Sequence, residues 1–189
     1  MGIEIEKKFT VKHLPEDIEK YPFHEIEQGY LNVFPAIRVR REDERYYMTY
    51  KASKERFVDC GLGEEYGINE GDIGKIEFNL PLDKENYIHL AKKADGNVIR
   101  KKRYLLPLNE DAFEKGFLAD NPELSEAIVK GEIKIELDVF KAPFEGRILA
   151  EVEFPSEEAA RNYNPAEWFD EDVTGDRRFS NSQMTMEKV

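Results

Sequence analysis

Short runs in which apolar and charged residues alternate with period two recur along the chain. Each predicts a β-strand with one charged and one apolar face. From Ile3 to Phe9, Glu4, Glu6 and Lys8 share one face while Ile3, Ile5 and Phe9 share the other. From Ala36 to Arg40, Arg38 and Arg40 oppose Ile37 and Val39, and from Tyr46 to Lys51 the row Tyr47, Thr49, Lys51 opposes Tyr46, Met48, Tyr50. Lys75 and Glu77 oppose Ile76 and Phe78, and Lys101 and Arg103 flank Lys102. Glu136 and Asp138 oppose Ile135, Leu137 and Val139, and Glu151 and Glu153 oppose Val152 and Phe154. Gln28 to Asn32 adds one more strand.

Helical signals are fewer and shorter. Leu82 to Ala94 carries Tyr87, Leu90 and Ala91 at helical spacing, with Asp95-Gly96 as its stop. Asn109 to Phe117 opens on a residue suited to an N-cap, followed by acidic residues that favour the positive helix end. Pro122 to Lys130 ends at Gly131, and Ser156 to Tyr163 begins at a capping serine. Pro165 is compatible with the first position of another helix, and Trp168 with outer packing. The stretch Cys60 to Gly74, rich in Gly and Glu, predicts a flexible acidic loop. With 189 residues, no internal repeat and no linker, the chain is expected to form one domain over residues 1–189.

Charge narrows the function. Twenty-eight basic against 40 acidic residues give a net charge of -12, which argues against a nucleic acid polymer or an anionic membrane as partner. Cys60 is the single cysteine, so no intrachain disulfide forms. No apolar core of a signal peptide and no stretch of transmembrane length is present, so a cytoplasmic location is expected.

Charged residues make up 36% of the chain, and the strand faces admit two readings of where they go. On an ordinary exposed antiparallel face they form cross-strand ion pairs, each worth about 0.2 to 1 kcal/mol. On the inner face of a closed barrel they line a cavity while helices and loops cover the apolar exterior. The second reading explains better why Lys8, Arg38, Arg40, Lys51, Lys75, Lys101 and Arg103 gather on some strands while carboxylate pairs fill others. An interior rich in guanidinium and ammonium groups calls for a polyanion, and paired carboxylates are hard ligands suited to Mg²⁺ or Mn²⁺. Together these are ingredients of metal-assisted phosphoryl transfer. His13, His24 and His89 are far apart in sequence and form no zinc motif, and Gly61, Gly63 and Gly67 lack the lysine of a phosphate loop. Ser180 and Asn181, with no histidine and aspartate nearby in sequence, are expected to cap or brace the structure.

The motifs themselves resemble a known family. Glu4-Ile5-Glu6-Lys7-Lys8 is similar to the ExExK signature of the CYTH superfamily, the triphosphate tunnel metalloenzymes. The likeness continues in order through Gln28-Gly29-Tyr30-Leu31, Ile37-Arg38-Val39-Arg40, Thr49-Tyr50-Lys51 and Lys101-Lys102-Arg103-Tyr104. It then runs through Glu136-Leu137-Asp138-Val139-Phe140, Ala150-Glu151-Val152-Glu153-Phe154 and Val173-Thr174-Gly175-Asp176, with Arg178 and Ser180-Asn181 beyond.

The resemblance implies an α+β, mainly antiparallel fold, a closed eight-stranded barrel or tunnel with short helices packed outside. It also implies one or two divalent cations, Mg or Mn, and a small triphosphate substrate. Carried over by position, Glu4, Glu6, Glu151 and Glu153 match metal ligands, with Glu77, Glu136 and Asp138 as further acidic lining. Lys8, Arg38, Arg40, Lys51, Lys75, Lys101, Arg103 and Arg178, with Tyr30, match the phosphate-binding set. Glu4, Glu6, Lys8, Arg40 and Glu153 are the residues expected to carry catalysis.

Two departures stand out. Lys75-Ile76-Glu77-Phe78-Asn79 replaces Arg-x-Glu-x-Glu, and the 60–74 loop is longer and more acidic than the turn in many relatives. Hydrolysis of inorganic triphosphate is the expected activity. A class IV-type adenylate cyclase, a nucleoside or thiamine triphosphatase, and a non-catalytic polyphosphate-binding module are the alternatives. Ala36, where thiamine-directed relatives carry an aromatic residue, counts against thiamine triphosphate. A homodimer is compatible with the sequence.

Overall fold

The computed structural model describes residues 2–3, 5–61, 63–67 and 75–189, with the backbone alone for residues 2, 3, 66 and 75. Its elements begin with β1 (Gly2–Ile3), β2 (Glu6–Val11), β3 (Phe23–Val33), β4 (Ala36–Glu42), β5 (Arg45–Ser53) and α1 (Lys54–Asp59). Next come β6 (Lys75–Leu82), α2 (Lys84–Ala91), β7 (Asp95–Leu106), α3 (Lys115–Asp120) and α4 (Pro122–Val129). They end with β8 (Ile135–Phe140), β9 (Ile148–Glu153), α5 (Glu157–Asn162), β10 (Phe169–Asp172) and α6 (Asn181–Met184). This is an α+β fold dominated by antiparallel pairing. Among the described residues no helix is long and apolar enough to cross a membrane.

The chain forms two compact units, one of Met1–Glu4, Ile26–Arg100 and Arg178–Val189, the other of Ile5–Glu25 and Lys101–Arg177. In the 26–100 unit the strands run in the order β1-β6-β5-β4-β3. Their period-two pattern sends Tyr50, Ala52, Ile76 and Phe78 to one face, where Phe57 and Val58 of α1 cover them. Asp83 caps α2, accepting from the Asn86 amide at 2.8 Å. Gly29 on β3 is required by close approach, because a Cβ there would stand 2.6 Å from that of Ala94, just past α2. At Gly96 both conformation and space exclude a side chain, with φ at +66° and the Thr185 carbonyl oxygen 2.1 Å from where a Cβ would sit. That oxygen accepts from the Asn97 amide at 2.7 Å, fastening the tail that follows α6 to the start of β7.

The 101–177 unit contains the strand order β7-β8-β9-β2-β10. Its apolar row, including Phe9, Tyr104, Leu106, Ile135, Leu137, Ala150 and Val152, forms a core with Phe113, Leu124, Phe154 and Tyr163 from the helical and loop segments. Phe9 stacks on Phe169 with ring centroids 4.6 Å apart. Fully burying one such side chain is worth about 1.5 to 3 kcal/mol, so this face anchors the charged face behind it.

Several expectations change. The described residues make ten strands, and no hydrogen-bonded ladder among them closes the sheet. The N-terminal strand is described as two segments, β1 ending at Ile3 and β2 beginning at Glu6, and β10 is added at Phe169–Asp172. Asp95-Gly96 opens β7. No helix starts at Asn109, whose amide instead donates to Asp111 Oδ1 at 2.6 Å and to the Asn164 carbonyl at 3.1 Å, so the helix begins at Lys115. Pro165 opens no helix, while Trp168 packs edge-on against Phe169 at 4.5 Å. The predicted 60–74 loop contains a short 3-10 turn at Glu64–Tyr66, and its residues 62 and 68–74 lie outside the described ones.

Candidate functional site

Opposite its apolar core, the 101–177 unit carries an acidic face. In the β2–β9 ladder Glu6 stands across from Glu153 and Lys8 across from Glu151, and in the β8–β9 ladder Glu136 stands across from Glu151. Lys8 Nζ is 2.8 Å from Glu151 Oε1 and 3.8 Å from Glu6 Oε1. Arg103 is gripped by three carboxylates. Its Nε donates to Asp138 Oδ1 at 2.7 Å, its Nη2 to Asp138 Oδ2 at 2.6 Å and to Glu151 Oε2 at 2.7 Å, and its Nη1 to Glu136. Lys101, 0% exposed, pairs with Asp138, 1% exposed, so its ammonium is engaged by that carboxylate within the fold.

These contacts set the charge states. Burial alone would raise the Glu151 carboxyl, but Lys8, Arg103 and Lys101 hold it well below the usual carboxylate range. Burial would lower the Lys8 ammonium, and Glu151 and Glu6 carry it above its ordinary value. Glu136 goes the other way. Burial lifts its carboxyl, Arg103 opposes, and the negative charges of Glu151, Asp138 and Glu153 add to the rise.

In the 26–100 unit one sheet face is basic. Arg38 and Arg40 lie on β4, with Tyr30 across from Arg38 and Gln28 across from Arg40 on β3. Two carboxylates stand among them, Glu77 on β6, 4.0 Å from Arg38 Nη2 and 3.7 Å from Lys51 Nζ, and Glu42 at the end of β4, 3.9 Å from Arg40 Nη1. Asn79 Nδ2 donates to Glu77 Oε1 at 2.9 Å while its Oδ1 accepts from Thr49 Oγ1 at 2.6 Å. Burial raises the Glu77 carboxyl, yet Arg38, Asn79 and Lys51 bring it below its usual value. Arg40 Nε donates to Gln28 Oε1 at 2.9 Å and its Nη1 to the Tyr47 hydroxyl at 3.1 Å.

The residues singled out by sequence thus fall into two sets. Glu6, Lys8, Lys101, Arg103, Glu136, Asp138, Glu151 and Glu153 share the 101–177 unit, with Glu153 exposed at the end of β9. Tyr30, Arg38, Arg40, Lys51 and Glu77 share the 26–100 unit. Arg178, in the same unit, lies exposed on a 3-10 turn with its guanidinium 5.8 Å from the Phe179 ring centroid. Glu4 lies outside the described residues, and Lys75 opens β6 across from Ser53 with its side chain outside the described ones. Sequence reasoning misses Gln28, Tyr47, Thr49 and Asn79. The same period-two rule places them beside Tyr30, Lys51 and Glu77, but they are neutral, and charge is the signal that marks the others.

Among the described residues no three acidic, histidine or cysteine side chains are gathered as a ready metal cage. The donor set nevertheless fits a hard divalent cation. Carboxylates, which are hard oxygen ligands, face one another across two ladders, Glu6 with Glu153 and Glu136 with Glu151.

With one basic and one acidic face on an antiparallel α+β fold, the chain resembles the triphosphate tunnel metalloenzymes to which its motifs point. It is inorganic-triphosphatase-like along its length. It is 29% identical over 188 residues to an inorganic triphosphatase of Nitrosomonas europaea, covering 97% of each chain. It is 28% identical over 187 residues to one of Acetivibrio thermocellus, covering 97% of this chain and 94% of the other. The crystal structure of the inorganic triphosphatase NE1496 superposes with a TM-score of 0.62 at 26% identity, over 100% of this chain and 97% of that one. No family model matches the chain.

Proposed function

We propose that the protein hydrolyses inorganic triphosphate to pyrophosphate and phosphate with the help of Mg²⁺ or Mn²⁺. The observation that carries this reading is the end-to-end similarity to two curated proteins named inorganic triphosphatase. The protein is accordingly a phosphoanhydride hydrolase. Its substrate is a small polyanion, in keeping with a chain too acidic for nucleic acid polymers.

The basic face supplies phosphate binding. Arg38 and Arg40 present planar forks that match phosphate oxygens, and Lys51 adds a point charge. Lys75 and Arg178 extend this set. The acidic face supplies the cation site, where Glu6, Glu151 and Glu153 would hold the metal together with Glu4, lined further by Glu136 and Asp138. A divalent cation held there would supply Lewis-acid polarisation of a phosphoryl oxygen and a more acidic water. Lys8 and Arg103 space the carboxylates and limit their mutual repulsion. A water attacks the terminal phosphorus, the bond to the bridging oxygen breaks, and guanidinium and ammonium groups take up the charge of the leaving pyrophosphate. No side chain needs to form a covalent bond.

In the same reading the sheet closes as an eight-stranded barrel. Its support is that only residues 4 and 5 separate β1, laddered to β6, from β2, laddered to β9, so one N-terminal strand serves both. A cytoplasmic setting, supported by the single cysteine, completes the proposal.

A product assay tests it. Inorganic triphosphate, ATP and thiamine triphosphate are each supplied with Mg²⁺ and with Mn²⁺. The expected result is fastest cleavage of inorganic triphosphate, with phosphate and pyrophosphate in equal amounts. Cyclic AMP as the main product from ATP, or no turnover of any of the three, overturns the reading.

A further inference from the structure

The Arg40 guanidinium is held along two edges by neutral groups. Gln28 Oε1 accepts from Nε at 2.9 Å, and the Tyr47 hydroxyl accepts from Nη1 at 3.1 Å. Gln28 and Tyr47 are the direct cross-strand neighbours of Arg40 on β3 and β5, so three adjacent strands build one row across the sheet. Tyr47 in turn donates to Glu42 Oε2 at 2.7 Å. The tyrosine has one proton, and with that proton on Glu42 its lone pair faces Arg40.

The Gln28 amide has a direction as well. Arg40 Nε–H can only donate, so the amide oxygen must face it and the NH₂ must point elsewhere. That Nε2 is buried without a hydrogen-bond partner among the described residues, on a side chain that is 0% exposed. A buried donor left unsatisfied is unfavourable, and an apolar side chain would avoid it. What the amide offers in return is its oxygen on Arg40. A carboxylate at position 28 would bind the guanidinium harder but would cancel the charge that attracts phosphate. A neutral acceptor fixes the plane and leaves the charge. The Tyr47 hydroxyl has the same property, since it stands between Arg40 and Glu42, whose carboxylate is 3.9 Å from Nη1.

We propose that Gln28 and Tyr47 are positioning residues for triphosphate binding, setting the plane of the Arg40 guanidinium without neutralising it. This rests on Arg40 as a phosphate ligand, as proposed above.

The test is calorimetric titration of inorganic triphosphate in EDTA, for wild type, Gln28→Met, Gln28→Glu and Tyr47→Phe. Each variant is made alone and combined with Arg40→Ala. Gln28→Met and Tyr47→Phe should each weaken binding about fivefold to tenfold, the effect of one net hydrogen bond. Gln28→Glu should weaken it more, and neither Gln28→Met nor Tyr47→Phe should change affinity once Arg40 is alanine. The Mg²⁺ dependence of turnover should stay as in wild type. Equal losses with and without Arg40, or no loss in either single variant, overturn the inference. If Gln28→Met does not fold, Tyr47→Phe carries the comparison alone. A wild-type chain that does not bind triphosphate removes the functional reading and this inference with it. Wild-type binding that depends on Arg40, with additive effects of the braces, removes this inference only.

Discussion

The two charged faces solve opposite problems with similar residues. On the 101–177 face, cations lie at contact distance from carboxylates, as in Lys8 to Glu151 at 2.8 Å and Arg103 to Asp138 at 2.6 Å. On the 26–100 face, Glu77 stands 4.0 Å from Arg38 and 3.7 Å from Lys51, while Arg40 is braced by Gln28 and Tyr47. Acidic groups outnumber basic ones on the first face and the reverse holds on the second. A lysine or arginine therefore means different things on the two faces. In the proposed function, one among carboxylates spaces the cation site, and one among other cations is a ligand for the anion.

The largest expected contrast is in stability. Asp138→Ala leaves Lys101 buried with its carboxylate partner removed, and breaking a buried pair costs about 3 to 5 kcal/mol. Glu77→Ala removes a partly exposed carboxylate from longer pairs and should cost about 1 kcal/mol or less. Urea unfolding of both variants checks this, and equal losses would erase the distinction between the faces.

Activity should divide neighbours on one strand. Arg40→Ala should lower turnover about a hundredfold or more, the usual effect of removing a preorganised charged donor. Arg41, across from Glu27 and Tyr46 on the opposite side of β4, should tolerate alanine with little change. Steady-state kinetics on the two variants, with folding confirmed by circular dichroism, decides it.

Acid should act mainly through the carboxylate lattice. Glu151 is held well below the usual carboxylate range. Its stabilising contribution is therefore present above the unfolded value of about 4.3 and is lost as pH falls through its lower folded value. Glu151→Gln should flatten the acid limb of stability against pH. Glu77 is lowered too, so Glu77→Gln should act in the same direction but less.

The smallest effect has the opposite sign. The Glu136 carboxyl is raised, so its charged form opposes folding above that value, and Glu136→Gln should raise Tm slightly in EDTA at pH 7. A fall in Tm would show that its contact with Arg103 outweighs the repulsion.

Much of this is legible in the sequence because a strand has a strict period of two. Glu136 and Asp138 against Ile135 and Leu137, or Glu151 and Glu153 against Val152, fix which face is charged by alternation alone. What the period cannot report is which charges meet. Nothing local shows that Arg103 is saturated by carboxylates or that Lys101 is buried against Asp138, since their partners are some 33 to 48 residues away. Neutral side chains escape for another reason. Gln28, Tyr47 and Asn79 act through hydrogen bonds to charged neighbours, which composition does not reveal. Helix ends are misread where competing side-chain bonds decide them, as when Asn109 binds Asp111 and the Asn164 carbonyl in place of capping.

The division of labour between the faces is tested most directly by measuring triphosphate affinity in EDTA together with the Mg²⁺ dependence of turnover, on wild type, Arg40→Ala and Glu153→Gln. The account predicts that Arg40→Ala loses metal-free affinity and keeps the wild-type Mg²⁺ requirement. Glu153→Gln should keep or tighten metal-free affinity, need more Mg²⁺ and reach a lower maximal rate. Loss of metal-free affinity in Glu153→Gln with an unchanged Mg²⁺ requirement, or a shifted requirement in Arg40→Ala with affinity intact, would contradict it.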